Sequence, residues 1–371
     1  MPKDLANDEW LLMKVIRSSH GYLFLCGMFT YTQIRDQLNR RLGKVNHLRP
    51  LFEFAQGLDF GWRYFRHRKW GLDEKRASTR EVYVEWVNYC NLRCRFCALD
   101  HQMQKERMSE EVWRKVLEEV FFDPRFSGVE VVHLHNGGET LLHPKAVAFL
   151  EILDELYQKA QRLGGHIPRF DLLTNGLPLT PAKEAAILKC RAIRSVGFSM
   201  DGGSPEAYEA IRVRGKWDAF SEKLESLAAA NAKLAQPKEL YIISVLANKA
   251  AMQKESLDPA FKQLLDVVDS YELRLAHDWG GQVEVDGQMQ GSKHAKPWKW
   301  GCSMMMDQLV VLPGGEVSIC CNDLNGVGKV GNVMDGGLFA AYSADQRLEW
   351  LNLMAKNQSQ SIPLCRDCER F

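Results

Sequence analysis

Residues 81–97 read EVYVEWVNYCNLRCRFC, and the remainder of the chain is best interpreted outward from them. The stretch opens with a β-rich run, EVYVEWV, and passes directly into Cys90, Cys94 and Cys97 at a C-x₃-C-x₂-C spacing. Three thiols this close on one loop can converge on a single metal centre, and soft thiolate ligands select iron–sulfur clusters or zinc. The stretch therefore predicts a strand that ends in a metal-binding loop.

A strand followed by a helix recurs along residues 81–281. Helix starts are marked by Ser109 before two acids, by Thr180-Pro181 and by Ser204-Pro205, where a capping residue precedes a favourable first turn. The further strand candidates are 129–135, 169–173, 195–200, 239–246 and 270–276. This alternation favours parallel βα units, and strands without polar alternation indicate a sheet covered on both faces. We predict an α/β fold, a partial (β/α)6 TIM-like barrel over residues 81–285, while the pattern leaves a doubly wound sheet open.

The regions that flank the barrel differ from it in composition. Residues 1–80 contain 15 Lys and Arg against 8 Asp and Glu and predict a basic, mainly helical N-terminal extension. Within it, residues 60–70 (FGWRYFRHRKW) interleave aromatic and basic side chains, which suits packing over the barrel, a membrane surface or a partner. Residues 286–371 predict a small C-terminal α+β domain, with a hairpin from 305–312 and 316–320 and a helix from about 344 to 356.

The composition excludes several classes of protein. With 371 residues, 46% hydrophobic and 26% charged, the chain has the content of a globular protein, and its net charge of +1 gives no overall field for nucleic acid. No apolar run is long enough to span a membrane and no secretory signal is visible, so we expect a cytoplasmic protein. In that compartment its ten cysteines stay reduced, and their clustering indicates metal binding or catalysis.

A second group of cysteines lies near the C-terminus. Cys302, Cys320, Cys365 and Cys368 supply four thiols, enough to complete an iron–sulfur cluster or a structural zinc site. Cys321 follows Cys320 directly, so either of the two is a candidate for the ligand. Zinc is also open for the first group, with His101 as its fourth ligand.

CNLRCRFC after the first strand, together with NGGE (136–139) at the end of the second, resembles the radical S-adenosylmethionine (SAM) superfamily. The resemblance implies that Cys90, Cys94 and Cys97 ligate a [4Fe–4S] cluster whose fourth iron is chelated by SAM. One-electron reduction then cleaves SAM to a 5′-deoxyadenosyl radical, which abstracts hydrogen from a substrate C–H bond.

The resemblance also assigns residues to SAM. It implies an adenine contact for Phe96, a contact with the SAM amino group for Gly137, Gly138 and Glu139, ribose or carboxylate contacts for Asn175 and Ser199, and a carboxylate partner in Arg212. Thr140 stands where the family usually has proline. On the residues alone, Asn175-Gly176 is equally an ordinary turn and Arg212 an ordinary surface arginine.

The C-terminal cysteines resemble a twitch or SPASM-type domain, which implies one auxiliary [4Fe–4S] cluster, with a spacing like that of an aminocyclitol dehydrogenase. The implied activity is oxidation, epimerisation or decarboxylation of a small polar, carbohydrate-like substrate, with a flavodoxin- or ferredoxin-like electron donor. Cys321 is then a candidate catalytic hydrogen-atom donor, and His135 and His277 are candidates for the substrate pocket. Two alternatives remain: a peptide-modifying maturase, and a non-catalytic zinc-binding interaction protein.

Overall fold

The computed structural model describes Phe65, residues 76–283 and residues 302–368. In chain order its strands are β1 (Glu81–Val84), β2 (Arg93–Cys94), β3 (Val131–His133), β4 (Arg169–Thr174), β5 (Ile193–Ser199), β6 (Arg212–Val213), β7 (Glu239–Leu246), β8 (Ser270–Leu275), β9 (Gln308–Val311), β10 (Glu316–Ser318) and β11 (Lys329–Asn332). Its α-helices are α1 (Glu110–Phe122), α2 (Ala146–Leu163), α3 (Pro181–Lys189), α4 (Pro205–Ile211), α5 (Trp217–Asn231), α6 (Pro259–Asp266), α7 (Ser303–Asp307), α8 (Leu338–Tyr342) and α9 (Asp345–Ala355).

Nine of the strands form one sheet in the order β11-β10-β9-β1-β3-β4-β5-β7-β8. The six strands expected from the sequence, β1, β3, β4, β5, β7 and β8, are consecutive in this order and parallel to one another. Helices α1, α2, α3, the pair α4 and α5, and α6 connect them. Within the described residues the sheet keeps two free edges, so the prediction of an α/β partial barrel is confirmed.

The helix starts expected from the sequence are also confirmed. The Ser109 hydroxyl accepts a hydrogen bond from the backbone N–H of Val112, and Ser204 caps α4 in the same way. Each cap satisfies a backbone donor that the first turn leaves without a partner. Local chemistry thus sets where these connecting helices begin.

One face of the sheet is apolar and the other is polar. Side chains such as Val82, Val132 and Phe170 pack with the helices in a large core, where Trp86 and Trp113 meet edge-on at 5.4 Å between ring centroids. Because side chains alternate along a strand, Tyr83, His133 and the other residues one position away project to the opposite face. That face is the inner face of the barrel.

The C-terminal hairpin differs from its sequence prediction. Ser303–Asp307 is helical and the strand begins only at Gln308. The methionines of the first segment are good helix formers, whereas the β-branched Val310 and Val311 of the second favour a strand. Strand β9 pairs with β10 as expected, but it also lies parallel to β1. The hairpin therefore extends the barrel sheet, and helix α9 matches the predicted helix.

Several predictions concern residues outside the ranges that the structure describes. The N-terminal extension to residue 75 and the 60–70 stretch, apart from Phe65, lie outside the described residues, as does the segment 284–301 that contains the expected domain boundary. Among the described helices, none combines the length and the apolar character needed to cross a bilayer. The nine described cysteines are free thiols.

Candidate functional site

The first cysteine loop leaves the carboxyl end of β1, the end of a parallel barrel at which loops carry chemistry. Strand β2 within this loop pairs antiparallel with β6, which sets Cys94 directly opposite Arg212. The backbone N–H of Cys97 donates to the carbonyl of Cys94 at 3.1 Å, and the N–H of Leu92 donates to the Cys90 sulfur at 3.4 Å. The loop is thus folded around its own sulfur atoms.

Burial controls the protonation of these thiols. It raises the pKa of Cys90 to about 11 and that of Cys94 to about 12, and it raises the pKa of Cys97 as well. The nearby Arg212 lowers all three values, whereas Cys97 raises the pKa of Cys90, and Cys90 and Cys97 raise that of Cys94. Protein groups alone therefore leave the thiols protonated at neutral pH, and cationic iron would convert them to thiolates. This donor set fits an iron–sulfur cluster.

The spacing of the sulfur atoms disfavours one zinc ion. Tetrahedral ligation at 2.3 Å places zinc-bound sulfurs about 3.8 Å apart. In the two described ranges, three ligating atoms come within 4.8 Å of one another only at His133, His135 and Asp171, so neither cysteine group is contracted around a single ion. The electrostatic partners of His101 are Arg93, Arg214 and Asp100, and no cysteine is among them.

The Gly137–Glu139 turn packs directly against the cysteine loop. A Cβ on Gly138 would overlap the carbonyl oxygen of Val87, and a Cβ on Gly137 would lie 2.9 Å from the carbonyl oxygen of Leu324. The backbone N–H of Glu139 donates to the carbonyl of Tyr89 at 3.0 Å. Glycine is required here because backbone meets backbone, and the contact holds the turn beside Cys90.

The Glu139 carboxylate accepts hydrogen bonds from three groups of the protein. Its Oε1 accepts hydrogen bonds from the Thr174 hydroxyl at 2.7 Å and from the Leu141 N–H at 3.2 Å, and its Oε2 accepts from the Asn175 N–H at 2.7 Å. Burial raises the pKa of Glu139, although these hydrogen bonds act to lower it. The side chain therefore joins the second and third loops, and one lone pair on Oε2 remains for an ammonium group.

Asn175 forms more than an ordinary turn. Its side-chain oxygen accepts from the Leu177 N–H at 3.0 Å, as in an Asx turn. Its amide nitrogen also contacts the Cys90 sulfur at 3.7 Å and donates to the Asn91 side chain at 2.9 Å. The third loop is thereby held against the cysteine loop.

Arg212 is an interior residue, not a surface arginine. It is 7% exposed, and its Nε lies 2.7 Å from Oδ2 of the buried Asp201, whose other oxygen accepts from the Val245 N–H. The resemblance assigned it to the SAM carboxylate, but part of its guanidinium is committed to a protein carboxylate. Its charge acts on Cys90, Cys94 and Glu139.

The two other residues assigned to SAM lie on the same side of the barrel. Phe96 is buried with Ile211, Val245 and Ala276 in a small apolar cluster beside Cys94. Ser199 is the last residue of β5 and is partly buried, opposite Ile243 on β7.

The second cysteine group surrounds one cavity. The cavity lining comprises Cys302, Cys320, Cys365 and Cys368 with Met304, Met305, Ile319, Leu364, Trp279, Gly280 and Asn322. Cys321 is not part of this lining. Its thiol is hydrogen-bonded to Cys320, and this bond, followed by burial, raises the pKa of Cys320. Burial also raises the pKa of Cys365, and the neighbouring Cys302 and Cys368 add to the effect.

Direct contacts connect this cavity to the first cysteine loop. The indole Nε1–H of Trp279 donates to the carbonyl of Phe96 at 2.7 Å, although Trp279 also lines the cavity. The Asn325 side chain donates to the carbonyl of Ala98 and accepts from the N–H of Asp100, both at 2.8 Å. Neither Trp279 nor Asn325 was predicted from the sequence as a site residue. The only signal was HDWGG after β8, where Trp279 (φ 55°) and both glycines adopt left-handed backbone conformations.

The histidines near the strand ends differ in their surroundings. His143 bonds the carbonyl of Met108 and packs on Phe149, and His277 packs on Trp279. His133 and His135 instead lie on the inner face, where Tyr83 stacks on His133 at 4.4 Å. Burial lowers the pKa of His135 to about 3.

Asp171 joins this inner-face group and was not identified from the sequence. It receives hydrogen bonds from the Ser195 hydroxyl at 2.5 Å and from the Tyr241 hydroxyl at 2.8 Å, and it lies 3.3 Å from Nδ1 of His133. Burial opposes its ionisation, but the hydrogen bond and positive field of His133 outweigh burial and lower its pKa. The signal available in the sequence was the period of two along neighbouring strands.

Glu85 is a second buried carboxyl group that was not predicted from the sequence. It is 1% exposed, and its Oε2 accepts from the Asn136 side chain and from the Gly137 N–H, both at 3.2 Å. Burial raises its pKa to about 8 despite these bonds, and the nearby Asp323 raises it further. A protonated carboxyl group thus lies beneath the glycine turn at neutral pH.

Comparison with known proteins identifies two regions. Residues 84–235 match the family model described as the radical SAM superfamily, and residues 302–369 match an iron–sulfur cluster-binding domain named SPASM. A GTP 3′,8-cyclase of Mycobacterium bovis is 26% identical over 154 residues. That alignment covers 40% of this chain and 38% of the cyclase, so the chain spans well under half of this relative.

Solved structures show the same fold at low identity. SuiB of Streptococcus suis, bound to the precursor peptide SuiA, is 12% identical with a TM-score of 0.59, covering 99% of this chain and 83% of SuiB. The protein anSMEcpe with bound AdoMet is 17% identical with a TM-score of 0.55, covering 78% of this chain and 85% of that protein.

Proposed function

We propose that this chain, which belongs to the radical SAM superfamily and carries a C-terminal SPASM-type domain, abstracts hydrogen from a small polar, carbohydrate-like or aminocyclitol substrate inside its barrel. The observation that carries the proposal is the meeting of the cysteine loop, the glycine turn and the Thr174–Gly176 loop above a polar inner face. Members of this family bind a [4Fe–4S] cluster and SAM, which together supply a hydrogen-abstracting 5′-deoxyadenosyl radical.

The chain's own residues would hold these groups as follows. Cys90, Cys94 and Cys97 provide three thiolates, and the Arg212 charge favours their ionised form. The backbone carbonyls of the glycine turn and the remaining lone pair of Glu139 accept hydrogen bonds from an ammonium group.

Residues around the turn would complete the SAM site. The Ser199 hydroxyl and the Asn175 amide are suited to the ribose or the carboxylate, because both lie where strands β4 and β5 end. The backbone of Phe96, held by Trp279, is suited to the adenine edge.

The C-terminal cavity would hold one auxiliary cluster. Cys302, Cys320, Cys365 and Cys368 line it, and methionine, isoleucine and leucine side chains give the rest of the lining an apolar character. Since Trp279 contacts both the cavity and the first cysteine loop, an auxiliary cluster there is well placed to accept an electron from a substrate radical, which gives net oxidation. A flavodoxin- or ferredoxin-like protein would supply the electron for SAM cleavage.

Cys321 stays a proposed hydrogen-atom donor for an epimerisation. Its backbone N–H is 3.4 Å from the side-chain oxygen of Gln308, and the Gln308 amide donates to Glu81 on the inner face. Gln308 thereby links the backbone of Cys321 to the inner face, and the Cys321 side chain does not line the auxiliary cavity.

The polar side chains of the inner face favour a polar substrate. Tyr83, His133, His135 and Asp171 offer hydrogen-bonding groups within the barrel, and the Arg274 charge acts on His135 from β8. Modification of a peptide is the second candidate, favoured by the basic and aromatic run at 60–70, which suits an acidic leader segment.

Anaerobic reconstitution with iron, sulfide, SAM and a reductant tests the proposal. We expect a brown protein with about eight irons, corresponding to two four-iron clusters, and formation of 5′-deoxyadenosine that acquires deuterium from a labelled substrate. Cys94→Ala should abolish SAM cleavage. A colourless protein that binds zinc in place of iron would refute the enzyme and support the non-catalytic zinc-binding alternative.

Two neighbouring cysteines provide a matched pair for the auxiliary site. Cys320→Ala should lower the iron content to about four, one four-iron cluster, while still cleaving SAM without forming product. Cys321→Ala should keep all the iron. The reverse result would make Cys321 the ligand, and deoxyadenosine formation with a co-incubated peptide but not with sugars would favour the peptide candidate.

A further inference from the structure

Two imidazoles and one carboxylate meet on the inner face of the barrel. His133 and His135 lie on the same face of the β3 segment, and the register of the sheet pairs His133 with Asp171 of β4. One ligating atom from each of the three lies within 4.8 Å of the other two. His133 Nδ1 and Asp171 Oδ2 are already 3.3 Å apart, the separation expected for two ligands that share one ion at bonds of about 2.0–2.2 Å.

The hydrogen bonds inside the protein leave this group incomplete. Both Nδ1 of His135 and Nε2 of His133 are buried, and neither has a hydrogen-bond partner among the residues that the structure describes. A buried imidazole nitrogen in that state costs free energy unless another group satisfies it. A metal ion between the three side chains would satisfy the orphaned nitrogen of His135.

The surroundings resemble the support that metal ligands usually have. Ligating histidines commonly direct their second ring nitrogen to a carboxylate, and Nε2 of His133 is 3.9 Å from Oε2 of Glu81. Ligating carboxylates are commonly held by hydrogen bonds, and Asp171 is held by the hydroxyls of Ser195 and Tyr241.

Gly197 is a residue whose lack of a side chain this arrangement requires. It lies in the interior of β5 opposite Tyr241 on β7, and a Cβ at this position would overlap the tyrosine ring. Glycine weakens a strand interior, so its presence indicates a close approach by another group. Here it makes room for the Tyr241 hydroxyl to reach Asp171.

We propose that His133, His135 and Asp171 bind a divalent transition-metal ion, of the zinc or iron(II) class, on the inner face of the barrel. Two histidines and one carboxylate are the ligand set of mononuclear zinc and non-haem iron sites that keep open positions. A substrate hydroxyl or carboxylate oxygen would occupy the open positions. The inference goes beyond the proposed function, because metal binding is measured independently of SAM cleavage.

Zinc is the probe, because metal analysis does not distinguish added iron from the iron of the clusters. The reconstituted holoenzyme is equilibrated anaerobically with Zn²⁺, dialysed and analysed for zinc and iron together. We expect one zinc per chain in addition to the cluster iron. His135→Ala and Asp171→Asn should lose the zinc and keep the iron, whereas His101→Ala, the matched control beside the cysteine loop, should keep both metals.

Tyr241→Phe tests the supporting role of its hydroxyl without removing a ligand. It should weaken zinc binding about 10- to 100-fold in a chelator competition, with iron content unchanged. A wild-type holoenzyme that retains no zinc, or a His135→Ala variant that retains as much as wild type, would overturn the proposal. Loss of zinc accompanied by loss of iron would also overturn it, since the zinc would then lie at the cysteines.

Discussion

The buried carboxyl group of Glu85 should make the stability of this protein depend on pH in the opposite direction from a typical paired carboxylate. Its pKa is about 8 in the folded chain against 4.5 as the ordinary value. Above pH 4.5 the unfolded chain releases this proton while the folded chain retains it, so stability falls as pH rises. The fall ends once the folded group also ionises, near pH 8.

The perturbation is Glu85→Gln, which retains an acceptor for Asn136 and Gly137 but cannot titrate. The free energy of unfolding changes by about 1.36 kcal/mol for each pH unit in which the folded and unfolded states differ by one bound proton. Between pH 6 and pH 9, the free energy of unfolding of wild type should therefore fall by about 3 kcal/mol relative to that of the variant. For a chain of this size, that corresponds to a relative Tm change of about 4 °C. Most of the change should occur below pH 8.

The assay is thermal unfolding of the anaerobic holoenzyme at half-unit pH steps from 6 to 9. Glu118→Gln, an exposed residue on helix α1, is the matched control and should follow wild type throughout. If the Glu85→Gln and wild-type Tm curves run parallel across this range, the carboxyl group is not held protonated by burial. The argument for a neutral group beneath the glycine turn would then fail.

Two further substitutions test how the loops are held together. Gly138→Ala should cost about 3 kcal/mol of stability and weaken SAM binding, because its Cβ meets the Val87 carbonyl and not a mobile side chain. Calorimetry should show Gly128→Ala near wild type, because the nearest atom there, 3.3 Å away, belongs to the flexible Arg76 side chain and the nearest backbone atom lies at 3.4 Å. Trp279→Phe removes the hydrogen bond to Phe96, so the ratio of deoxyadenosine to product should rise at equal iron content, and an unchanged ratio would exclude this link as a route between the two sites.

The amino-acid sequence by itself determined the strands and helices of the barrel and the position of the first cysteine loop. Capping residues such as Ser109 and Ser204 set helix starts through bonds that span only three residues, so they can be identified without the fold. The six parallel strands follow from apolar runs of the right length, and the spacing of Cys90, Cys94 and Cys97 is itself a local property.

Only the tertiary structure decided which side chains meet. Glu139 bonds Thr174 and Asn175, Arg212 pairs with Asp201, and Asp171 lies beside His133, each through contacts between separate elements. These contacts depend on the register between strands whose residues are tens of positions apart, and a shift of one residue would turn every such side chain to the opposite face. No local sequence pattern specifies that register, because the register is set by packing of the whole sheet against its helices.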